Sequence, residues 1–141
     1  MPTRQAEAIW KGTLLEGGGE LKVESGSFEG PYSHAKRFKD ERGLNPEELV
    51  GAAHAGCYSM FLSSLLSNEG FPPEIVHTTA SVHLERDEVG PLITLIELHT
   101  TASVPGIAEE RFLELSVEAK EKCPISRALA GPEIKLEAKL R

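Results

Sequence analysis

Residues 45 to 70 read NPEELVGAAHAGCYSMFLSSLLSNEG, and from Leu49 to Asn68 there is no Asp, Glu, Lys or Arg, in a chain that is 26% charged. A soluble helix with no charged side must be covered on nearly all sides, so this stretch is expected to be the central core helix. Its ends are well marked. Asn45 is placed to cap the first turn, Pro46 suits the first helical position because an N–H there would lack a partner, and Glu47 and Glu48 answer the positive end of the dipole. Gly70 supplies the stop, with Pro72 and Pro73 beyond it. A run of about 20 uncharged residues also suits a membrane span. Gly51, His54, Gly56, four serines and Asn68 argue against that.

Upstream, Gln5 to Lys11 and Glu20 to Ser25 alternate around Ile9, Leu21 and Val23, and the run Gly17-Gly18-Gly19 between them reads as the turn of a hairpin. Gly26 to Gly43 is less regular, with a turn at Gly30-Pro31 and a basic patch of Lys36, Arg37 and Lys39. It is a candidate functional loop, with a short strand expected near Ala35 to Phe38. Downstream, Glu74 to Glu85 reads as a strand with Val76, Ala80, Val82 and Leu84 on one face. Asp87 to Pro91 turns the chain into a second strand, Leu92 to Val104, which Pro105-Gly106 breaks. Ala108 to Lys122 has helical spacing, with Phe112, Leu115 and Ala119 as the buried stripe. Pro124 disfavours helix at Cys123, so a turn is expected from Pro124 to Ala130 before a last strand carrying Ile134, Leu136, Ala138 and Leu140. Segregated strands and helices in this order indicate an α+β fold, with mainly antiparallel sheets wrapped around the long central helix.

The 141 residues suit one domain, residues 1–141, near the size at which oligomerisation often adds buried surface. A net charge of −7 argues against a nucleic-acid partner, which needs clustered Lys and Arg. The opening MPTRQAEAIW carries no apolar run for secretion, so a cytoplasmic location is expected. In a reducing compartment the two cysteines are more often free, catalytic or redox-active than a structural staple.

Cys57 has two readings. Its helical neighbours Val50, Ala53, His54, Met60, Phe61 and Ser64 form a mainly apolar stripe. Residue statistics alone favour a buried core cysteine. The other reading is a peroxidatic thiolate, which apolar burial opposes by raising the thiol pKa, so a cation must come from elsewhere in the fold. Arg37 is a candidate for that cation, with Glu47 placed to fix its guanidinium by a two-pronged carboxylate bond. A solvated loop charge and a first-turn carboxylate are the plainer readings of these two residues. Glu47 and Cys57 are ten residues apart, about 15 Å along a straight helix. A two-fold dimer with packed central helices would let Arg37 and Glu47 of one subunit approach Cys57 of the other. Ala52 with Gly56, and Gly51 with Ala55, are small pairs that permit close approach. Cys123, at a helix end before Pro124, is expected in a mobile, partly exposed setting suited to a resolving thiol; a chance cysteine is the equal alternative. His54 and Cys57 could share a metal, but no second Cys/His pair has ligand spacing.

The segments NPEELVGAAHAGCYSM, PYSHAKRF, VPGI and KCPIS, in this order, resemble the OsmC/Ohr family of thiol peroxidases over nearly the whole chain, the OsmC branch more than the Ohr branch. The resemblance implies an OsmC-like fold and a cytoplasmic, intertwined homodimer with two active sites at the subunit interface. It implies reduction of organic hydroperoxides, and in some members of hydrogen peroxide, in oxidative or osmotic stress defence, at the expense of an external thiol or dithiol reductant. Carried over residue by residue, Cys57 is the peroxidatic cysteine, Cys123 the resolving cysteine that pairs with it in a disulfide, Arg37 the activating arginine and Glu47 its carboxylate partner. No metal, haem, flavin, nucleic acid or membrane is implied. The alternative of a different class is a non-catalytic domain of the same fold that binds an apolar ligand.

Overall fold

The computed structural model describes all 141 residues, and the chain divides into two compact units, Met1–Leu49 and Val50–Arg141. In the first unit, β1 (Ala6–Lys11), β2 (Gly18–Val23) and β3 (Glu29–Tyr32) form an antiparallel sheet in the order β1-β2-β3. The two alternating stretches pair as expected, Ala6 opposite Val23 and Lys11 opposite Gly18. The glycine run is not the turn, however, because Gly18 and Gly19 already belong to β2. Gly19 lies under the edge-on rings of Trp10 and Tyr32, whose centroids are 5.2 Å apart. A Cβ there would come within 2.8 Å of Trp10 and 2.6 Å of Tyr32, so this glycine serves a close approach.

The short strand expected near Ala35 to Phe38 is instead a helix, α1 (His34–Phe38). Ser33 decides it: its hydroxyl accepts the Lys36 N–H at 3.3 Å and caps the turn. Among residues 1–49 the only buried one is Glu47, and Ile9, Leu14 and Leu15 are all exposed.

The long helix α2 (Pro46–Asn68) starts in the last residues of the first unit and runs on through the second. Asn45 caps it as expected, its Oδ1 accepting the Glu48 N–H at 2.8 Å. At the other end Gly70 adopts φ +89°, and the Phe71 N–H reaches back to the Leu66 carbonyl at 3.0 Å, closing the helix. In the second unit β4 (Ile75–Arg86) and β5 (Pro91–Ser103) form a long hairpin, turned where Asp87 Oδ1 accepts the N–H groups of Val89 and Gly90. From β5 the chain crosses through α3 (Glu109–Lys122) and α4 (Pro124–Ala128) into β6 (Glu133–Leu140), which pairs parallel to β5. The sheet order is β4-β5-β6. The architecture is the expected α+β, mainly antiparallel with this one parallel pair. The turn expected from Pro124 to Ala130 is mostly the helix α4.

The core is the face of α2 carrying Tyr58, Leu62 and Leu66, packed with Ile96, Leu98 and Ala102 of β5 and Phe112, Leu115 and Ala119 of α3. Such four-residue spacing keeps side chains on one helix side. Close contact comes at Gly51, where a Cβ would stand 3.3 Å from Val82 Cγ2. Polar order is kept by hydroxyls: Ser59 donates to Thr78 Oγ1 at 2.8 Å, Thr78 and Thr100 bond at 2.8 Å, and Thr100 donates to the His77 carbonyl at 3.1 Å.

The expectation that α2 is covered on nearly all sides does not hold within one chain. Ala52, Ala53, Gly56, Met60, Ser64 and Ser67 are exposed, Met60 to 77%. The single sheet of the second unit can cover only one side of a helix.

Candidate active site

Cys57 and Cys123 are brought together in the second unit. Both are free thiols, and Cys57 is close enough to Cys123 and to the Ile125 backbone for both to influence its ionisation. Burial pushes the Cys57 thiol up, the Ile125 backbone bond works against that, and the neighbouring Cys123 adds to the rise through its hydrogen bond and its charge. As the sequence leads one to expect, the surroundings of Cys57 on balance disfavour its thiolate.

The exposures of the two cysteines are the reverse of what the sequence suggests. Cys57 is partly exposed, whereas Cys123 has no exposed surface. The expected mobile, partly exposed setting of Cys123 is therefore corrected. It joins two helices and is fastened by both: its N–H bonds the Ala119 carbonyl at 3.0 Å to end α3, and its Sγ accepts the Ser126 N–H at 3.3 Å to begin α4.

Ser126 continues the cluster. Its Oγ lies 3.1 Å from Cys123 Sγ and 2.7 Å from His54 Nε2. His54 is fully buried, its Nδ1 has no hydrogen-bond partner, and burial lowers its pKa, which keeps the ring neutral. Ile125 and Ser126 lie in the segment KCPIS but are given no role by the sequence. The signal that could have found them is Cys-Pro-x-Ser, a capping residue, a proline at the first helical position and a hydroxyl one turn on.

Arg37 and Glu47 are brought together in the first unit. Arg37 Nε and Nη2 donate to Glu47 Oε1 at 3.0 and 2.9 Å. The expected two-pronged bond is present in part, since both nitrogens converge on one oxygen while Oε2 is buried without a partner. The guanidinium also stacks 5.1 Å from the centre of the Phe38 ring, which with Glu47 fixes its plane. The Arg37 side chain is 40% exposed against 11% for Glu47, so a buried carboxylate holds out a half-accessible cation.

A sequence model of the OsmC-like protein family matches residues 38–139. Two relatives called peroxiredoxin OsmC, from Escherichia coli and Shigella flexneri, are each 42% identical over 139 residues, covering 98% of this chain and 96% of theirs. Among solved structures the chain is similar to an OsmC-like protein of unknown function from Vibrio cholerae, with TM-score 0.77, 19% identity, and coverage of 98% of this chain and 99% of that one. It is also similar to the organic hydroperoxide resistance protein OhrB of Bacillus subtilis, with TM-score 0.68, 22% identity, and coverage of 97% and 98%. At these identities the structural likenesses speak for the fold.

Proposed function

The chain belongs to the OsmC-like protein family, and on that basis we propose that Cys57 is the peroxidatic cysteine of a thiol-dependent peroxidase, with Cys123 resolving it and Arg37, held by Glu47, activating it. The observation that carries the reading is the proximity of the two free thiols, one partly exposed and one buried. The Cys57 thiolate attacks one oxygen of a hydroperoxide; the O–O bond breaks, the alcohol leaves with a proton, and a sulfenic acid remains. Cys123 attacks that sulfur, water departs, and a Cys57–Cys123 disulfide forms, which an external thiol or dithiol reduces. The apolar neighbours Val50 and Phe61 favour hydroperoxides with an organic substituent. No observation favours a non-catalytic ligand-binding domain.

The working unit in this proposal is a homodimer of single domains, residues 1–141, in the cytoplasm. Two features of one chain support pairing. The outer face of α2 from Ala52 to Ser67 is exposed yet uncharged, and the first unit buries none of its own apolar side chains. Ala52 and Gly56 are the small pair available for close helix approach; Gly51 is already used against Val82. Since burial leaves Cys57 protonated, a cation must reach it, and Glu47 lies about 15 Å away along α2. Arg37 and Glu47 of one subunit therefore serve Cys57 of the other.

A coupled assay with an organic hydroperoxide and a dithiol reductant tests this. Catalytic turnover of peroxide with matching consumption of dithiol is the expected result, and a protein inert to hydroperoxides would remove the reading.

A further inference from the structure

His54, Ser126 and Cys123 form an unbroken buried chain from the middle of α2 to the start of α4. We propose that the Ser126 hydroxyl, oriented by His54, activates Cys123 for the disulfide-forming step. The inference rests on the resolving role of Cys123 given above and adds the group that makes that role chemically workable.

A buried thiol is a poor attacking group, because the charge that develops on its sulfur is cut off from water. Protein donors must replace the water. Cys123 Sγ has two, the Ser126 backbone N–H at 3.3 Å and the Ser126 hydroxyl at 3.1 Å. The hydroxyl helps only if its hydrogen points at the sulfur, and His54 decides that. Its tautomer is assigned from the hydrogen-bond network. Nδ1 has no partner, and a bare lone pair is more easily left unpaired in the interior than an N–H without an acceptor. The hydrogen is therefore on Nε2, which donates to Ser126 Oγ at 2.7 Å, and the serine hydrogen is turned onto Cys123.

The step balances without any further reactant. Cys123 sulfur bonds to Cys57 sulfur, the S–O bond of the sulfenic acid breaks, and the departing oxygen takes the Cys123 thiol proton and leaves as water. Ser126 keeps its proton and donates it as a hydrogen bond while the charge passes through. Ser126 is thus a catalytic residue of the second step, since it touches a reacting sulfur. His54 acts through it and is a positioning residue.

Single-turnover quench measurements on the full-length protein separate the steps. Reduced protein is mixed with one equivalent of cumene hydroperoxide; sulfenic acid is trapped with dimedone and disulfide is counted by mass at each time. In Ser126→Ala and His54→Leu the sulfenic acid is expected at the wild-type rate, while the disulfide forms roughly ten- to a hundredfold more slowly, the scale for losing one hydrogen bond to a charged group. His54→Gln, whose amide N–H can donate to Ser126 in place of Nε2, is expected to recover most of the loss. Disulfide formation at the wild-type rate in Ser126→Ala would overturn the proposal. So would an equal slowing in His54→Leu and His54→Gln, which would mark a packing effect. Absence of sulfenic acid in the unmutated protein would instead bring down the peroxidatic role of Cys57, and this proposal with it.

Discussion

Cys57 and Cys123 are neighbours in the second unit, the first partly exposed in the middle of α2 and the second fully buried at the joint of α3 and α4. In the proposed reaction a peroxide arriving from solvent therefore finds Cys57 first, and Cys123 meets only what Cys57 has become. In Cys123→Ser one equivalent of alcohol per Cys57 is expected, followed by arrest with a dimedone-reactive sulfenic acid. Mass spectrometry reads both. In the reduced wild-type protein, alkylation by iodoacetamide should reach Cys57 before Cys123, and the opposite order would contradict the burial described.

In the proposed site Arg37 is the group that favours ionisation of Cys57. Burial raises that thiol, and a nearby guanidinium favours the charged form, so removing the cation moves ionisation to higher pH. Arg37→Ala is expected to shift the pH profile of Cys57 alkylation upward, and Glu47→Gln to shift it less, because it frees the guanidinium without deleting it. An unchanged profile in Arg37→Ala would remove the activating role.

His54 makes stability depend on pH in a definite direction. Its pKa in the folded chain lies below the ordinary 6.5 because it is buried. Its contribution is fully present above that value; as pH falls below it the unfolded chain takes the proton first, and stability is lost until the folded group also titrates. On acidification from neutral pH the melting temperature of the wild type should therefore fall faster than that of His54→Gln. A difference between the two that does not change with pH would contradict this.

Met60 and Leu62 sit two residues apart on opposite faces of α2, one exposed and one fully buried. Leu62→Ala should cost about 2–5 kcal/mol in denaturant unfolding, the usual price of a core cavity. Met60→Glu should leave the fold of each chain intact and convert the proposed dimer to monomer by light scattering, with loss of turnover. A dimeric, active Met60→Glu protein would place the interface elsewhere.

Much of this is legible in the residues. The bounds of α2 follow from Asn45 and Gly70, since caps act locally, and the inward faces of β4 and β6 follow from alternation. The Arg37–Glu47 pair follows from chemical complementarity with a marked helix start. Other features depend on what lies far along the chain. Cys123 reads as exposed because Pro124 ends a helix; its burial comes from starting another, whose five residues are too few to show a period. Gly19 reads as a turn because the rings it passes under belong to other strands. The uncharged outer face of α2 reads as core because a lack of charge does not by itself say which side of a helix its own chain covers.

The central claim is that peroxide is reduced at the Cys57 sulfur. Turnover of cumene hydroperoxide by Cys57→Ser, with a dithiol in excess and the wild type measured alongside, tests it most directly. Wild-type turnover with none in the variant is the predicted result, and a variant that consumes peroxide at the wild-type rate would contradict the account.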